Sequence, residues 1–243
     1  MKKVLLITSF IIAAMVSPSS YAQSKYYAVD THYMWGTVPE DLRAQYWDII
    51  SALIGVVKYA PPKGDNLFSW SDKNNELIKN KKLYFYITTS DDPVFSKYGV
   101  DNYISTTTDA MTFMVASPSG FDIYLCLLVD RLFFDYDVYG NSSEKKDATT
   151  RTTVALAHEI YGNVQSYLDM KIDPANYNKE EEQKKYPTEK LELKAFQAGV
   201  DFIKRLQLTD KYKLFSDKIK KDYNSALKRE QTSLEWWKNK AGN

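Results

Sequence analysis

The stretch HEIYG, His158 to Gly162, lies within TTVALAHEIYGNVQSYLDM and carries half of a metal-site pattern. Imidazole is a good neutral ligand for zinc, and a helix offers a second ligand on the same face four residues later. In HExxH the intervening glutamate activates metal-bound water. Here the fourth residue after His158 is Gly162 and the fifth is Asn163. An ideal helix puts Asn163 about 140° around from His158, off the ligand face unless the helix is distorted. A neutral amide oxygen is also a weak zinc donor beside an imidazole.

The chain has two histidines, His32 and His158, so no pair of histidines within one helix can be built. A histidine-rich site would need His32, in THYMWG, to come across from the N-terminal segment; otherwise carboxylates or carbonyls substitute. Glu192, in ELKAFQAG, is the downstream carboxylate, and Ala195 and Gly199, four apart, permit close approach of a neighbouring helix. Each residue also has a plainer role. His158 fits a satisfied core position, His32 fits packing among aromatics or surface recognition, and Glu192 fits structural hydrogen bonding. Without a metal, Glu159 is a partly buried acid. Tyr161 and Tyr167 suit packing, or donation to an oxyanion. The single cysteine, Cys126, lies in the apolar run FDIYLCLLVD and reads as a buried structural thiol. No GxSxG or phosphate-binding glycine loop is present, and Asp135 and Asp137 are the remaining paired carboxylates near a cleft loop.

These residues must be positioned by elements that the sequence patterns predict. KYYAVD (25–30) reads as a short strand. EDLRAQYWDIISALIGVV is an amphipathic helix opened by Pro39-Glu40-Asp41 and ended by Pro61-Pro62. A short helix is expected around 74–78, a strand at 82–90 in KLYFYITTS, and short helical or irregular pieces over 92–108. AMTFMVAS (110–117) and FDIYLCLLVD (121–130) form a β-hairpin across Pro118-Ser119-Gly120. A polar loop with a turn at Gly140-Asn141 follows. The period then changes to helical from Thr152 to about Met170. NKEEEQKK marks an exposed connection, and two further helices are expected, at 188–206 and from Thr209-Asp210 through the Trp236-Trp237 pair. The predicted fold class is α+β, a small mixed sheet with a β-hairpin followed by the His158 helix and two further C-terminal helices.

MKKVLLITSFIIAAMVSPSSYAQ has two lysines, an apolar run and a small-residue stop. It reads as a signal peptide over 1–22, leaving 23–243 as one domain in the periplasm or beyond it. The apolar run is too short for a stable membrane span. The formal charge of the whole chain is +1, and losing Lys2 and Lys3 brings it to about −1. That balance excludes an electrostatic nucleic-acid binder.

Over roughly 110–205, the order of hairpin, TTVALAHEIYG helix and Glu192 helix resembles the zincin metallopeptidase core of the glutamate-ligand type. It is most similar to the secreted effector and toxin-associated branch whose helix reads ALAHE followed by a histidine. The resemblance implies His158 as first metal ligand, Glu159 as catalytic glutamate, Glu192 as carboxylate ligand and FDIYLCLLVD as the cleft edge. Where related sequences insert a glycine before the second histidine, Asn163 stands in its place, and by plain HExxH Gly162 does. Either way a ligand is lost, and Asn163 and His32 are the candidates to complete the set. The leading expectation is a secreted or periplasmic zincin-like protein that has lost ordinary catalysis and binds a protein, peptide or envelope partner, with zinc as the possible cofactor, or none where the site is degenerate. The alternatives are an active zinc metallopeptidase using His158, Glu192 and Glu159, and a non-enzymatic binding or immunity-like protein unrelated to zincins.

Overall fold

The structure is a computed structural model that describes residues 33–61, 81–105, 108–118, 120–131 and 148–242. The expected signal peptide, the strand at 25–30, His32, the helix at 74–78, Asp135, Asp137 and the Gly140-Asn141 turn lie outside the described residues.

Four strands form one mixed sheet in the order β1 (Tyr33–Trp35), β2 (Lys81–Thr88), β4 (Gly120–Leu128), β3 (Ala110–Ser117). β1, β2 and β4 run parallel, and β3 pairs antiparallel with β4. The hairpin is tighter than its sequence suggests: Gly120 belongs to β4, so two residues rather than three join the strands. Gly120 has φ 135°, a conformation that glycine adopts without a side-chain clash. FDIYLCLL is therefore an interior strand, with Val129 and Asp130 in a helical turn beyond it, and AMTFMVAS is the sheet edge among the described residues. This corrects the assignment of the cleft edge. A hairpin pattern fixes which strands are adjacent but not which of the two meets β2.

α1 (Glu40–Tyr59) has acids in its first turn and Lys58 in its last, and ends before Pro61. α2 (Pro93–Lys97) is capped by Asp92, whose carboxylate accepts from Val94 N at 2.8 Å and from the Tyr86 hydroxyl at 2.8 Å. α3 (Ala148–His158) runs into a π-helical turn (Glu159–Val164) and then α4 (Gln165–Asp169). The predicted exposed connection contains a short helix, α5 (Lys179–Lys185), because Asn178 accepts hydrogen bonds from Glu180 N and Glu181 N. α6 (Thr188–Gln207) matches its pattern. The expected last helix is broken into α7 (Asp210–Lys213) and α8 (Asp217–Ala241). Buried Phe215 anchors the break and Ser216 recaps the chain through Ile219 N.

The main core lies between the sheet and the helices. Ile123, Leu125 and Leu127 of β4 meet Val57, Leu156, Ile160 and Phe202 there. A smaller cluster of Tyr86, Phe95, Phe113 and Cys126 fills the other sheet face under α2. α3 packs against α1, α6 and α8, while the π turn meets α6 and β3.

Candidate functional site

Local helix geometry at the motif follows from residues with small side chains. A β-carbon on Gly162 would overlap Ala195 of α6, so only glycine lets the π turn lie against that helix. A β-carbon on Gly199 would overlap the Glu230 carboxylate in the same way. The Ala195/Gly199 seam thus exists, but it serves two partners: Ala195 receives the motif turn and Gly199 receives α8. The π turn supplies the distortion that the spacing of Asn163 called for. Its i→i+5 bonding widens the turn that carries Asn163. There the Asn163 amide donates to Glu159 Oε2 at 3.0 Å.

His158 is buried, and its ring meets Phe196 edge-on with centroids 4.5 Å apart. Glu192 Oε2 lies 3.6 Å from its Nε2, and Glu230 Oε2 lies 3.6 Å from its Nδ1. Both are ion-pair separations just beyond hydrogen-bond length. Burial works against a charged imidazole here, but Glu192, Glu230 and Glu159 outweigh it and raise the His158 pKa to about 10. The imidazolium is the stable form at neutral pH. Glu159 is also buried, and burial raises its pKa, opposed by His158, Asn163 and the Thr112 hydroxyl of β3.

The structure therefore brings together His158, Glu159, Asn163 and Glu192, and adds Glu230, which the sequence reading did not single out. The available signal was Gly199: a residue without a side chain on a helix seam marks a close approach, but not which element approaches. Arg151 and Asp109 were also missed. Arg151 holds buried Asp109 through two hydrogen bonds, of 2.6 and 2.9 Å, and so ties α3 to the start of β3. His158, Glu159, Phe196 and Glu230 line a cleft of about 250 Å³ that extends to Asp109 and Arg151.

The two tyrosines separate clearly. Tyr161 donates to Val57 O at 2.8 Å and ties the π turn to α1. Tyr167 is partly buried against the core, and its hydroxyl pKa is raised by burial first and by the charges of Glu159 and Glu192 next. Cys126 is fully buried, and burial holds its thiol well above the ordinary range.

Among the described residues, which leave out His32, the donor set does not converge on a zinc ion. Glu192 and Glu230 approach opposite nitrogens of one ring, so the two carboxylates and the imidazole do not converge on one ion. Asn163 presents an N–H to Glu159 rather than a lone pair to the His158–Glu192 side. Among the described residues no group of three histidine, cysteine or acidic side chains is arranged to hold a metal ion. No family model, curated protein or solved structure matches this chain.

Proposed function

We propose that this chain is an exported, zincin-like protein in which the metal site has become an ion-paired binding cleft. Its partner is a protein or peptide segment that docks in extended form along β3. The resemblance of ALAHE and Glu192 to the zincin core supports the ancestry. The approach of Glu192 to His158 accords with it.

The loss of catalysis is supported by the placing of His158 between Glu192 and Glu230, 3.6 Å from each. A ligand histidine must offer a neutral nitrogen to the metal. Here both ring nitrogens face carboxylates, and the position of the second helical histidine holds an asparagine committed to Glu159. Glu159 then has no metal-bound water to activate and serves as a buried acid in the cleft wall.

Docking along β3 is supported by its backbone. Leu128 N donates to Asp109 O, which fixes the ladder so that odd-numbered β3 residues bond to β4. The N–H and C=O groups of Ala110, Thr112, Met114 and Ala116 then point away from β4, to the side that no described strand covers, where an added strand finds them. Cross-linking mass spectrometry with a photoreactive residue at position 118, exposed just beyond the end of β3, tests this. Partner peptides joined there, and lost when Ala116 is replaced by proline, are expected. Cross-links confined to other faces would overturn the docking site.

A further inference from the structure

We propose that the link between α6 and α8 rests on the surface of a bilayer that contains anionic phospholipid. The inference uses residues outside the His158 cleft and does not depend on strand docking.

The backbone of the link is tied down along its length. Leu208 N donates to Arg205 O at 3.0 Å, and Tyr212 N to the Thr209 hydroxyl at 3.2 Å. Leu214 N and Phe215 N each close a short turn, donating at 3.1 Å to Lys211 O and Tyr212 O. Tyr212 and Phe215 pack against the core, with ring centroids 5.7 Å apart. Leu208 and Leu214, on either side of α7, face outward and are 83% and 77% exposed. Tyr59, exposed at the end of α1, joins them through Lys211, whose ammonium lies 4.7 Å from its ring centroid. Six large apolar side chains are exposed among the described residues, and three of them belong to this end of the molecule. Single exposed leucines need no explanation, but apolar groups gathered on one fixed turn mark a contact surface.

Charge selects what the surface meets. The whole chain balances 32 lysines and arginines against 31 acids, yet residues 204–221 hold seven against two. One of the two, Asp210, is paired with Lys213 at 2.7 Å. Lys204, Lys218 and Lys221 are exposed around the leucines. Leucine tips ringed by ammonium groups match a lipid interface, where the apolar tips enter the acyl boundary and the cations meet phosphates.

The test uses the full chain as the cell processes it and sedimentation with sucrose-loaded vesicles. One set is pure phosphatidylcholine, and the other is three parts phosphatidylcholine to one part phosphatidylglycerol. Binding to the anionic set is expected to be at least tenfold tighter, and to weaken as salt is raised. L208S/L214S and K204Q/K221Q alter exposed side chains only, and each should weaken it about tenfold. Equal binding to the two sets, or to neither, would overturn the proposal. Anionic binding that L208S/L214S leaves unchanged would also overturn it, since any polyanion would then serve. So would a wild-type dimer, without vesicle binding, that L208S/L214S makes monomeric; the face would then belong to a second copy of the chain.

Discussion

His158 is a buried cation whose charge depends on its two acids, and that makes its contribution to stability a function of pH. Its folded-state pKa of about 10 lies above the ordinary 6.5. The stabilisation is therefore complete below pH 6.5 and is lost as pH rises through about 10. Replacing His158 by glutamine should cost about 3 kcal/mol near pH 6.5, at the low end for breaking a buried ion pair. Urea denaturation of wild type and H158Q across pH 6 to 10 checks this: the difference should shrink steadily toward alkaline pH. Lys81 runs the other way, since burial lowers its pKa to about 8 despite Asp169. Its protonation costs stability below pH 8, a cost that fades as pH rises toward 10.5. Lys81 is common to both proteins, so it cancels in the comparison. A constant difference would mean that His158 is neutral in the fold.

At the scale of elements, the two seam glycines carry separable predictions. G162A forces the π turn off α6 and should destabilise the protein by about 2–3 kcal/mol, as overpacking does. G199A displaces the Glu230 carboxylate instead. Combined with E230Q, its cost should fall short of the sum of the two single changes by about 1 kcal/mol, because both act on one contact. Denaturant midpoints for the four proteins measure this. Proline at Ala116 removes an N–H that β4 does not use and should cost under about 1 kcal/mol. Periodicity made α1, β2, α6 and the hairpin legible, since each has a long face of one period. The π turn was legible only as a mismatch between the spacing of Asn163 and an ideal helix. Glu230 was hidden because its helix is mostly polar and buries little: Tyr223, Ala226 and Leu234. Strand order was hidden because β3 and β4 are both apolar, and partner choice within a sheet is a long-range matter.

The whole molecule places one sheet edge and one charged cleft side by side. Asp109 and Arg151 fix that relation by tying the start of β3 to α3. Among the described residues no helix is long and apolar enough to cross a membrane. The near-neutral overall charge leaves recognition to local groups rather than to a field spread over the surface. In this account the helices of a metal site persist while the sheet edge beside them binds a partner through strand pairing. Zinc retention separates that account from a surviving metalloenzyme most directly. The chain is loaded with one equivalent of zinc at neutral pH, dialysed without chelator, and analysed for metal beside H158A, E192A and N163H. The account predicts that the wild type keeps less than about a tenth of an equivalent, while N163H, which restores an imidazole on the widened turn, keeps close to one. Near-stoichiometric zinc in the wild type, lost in both H158A and E192A, would contradict it.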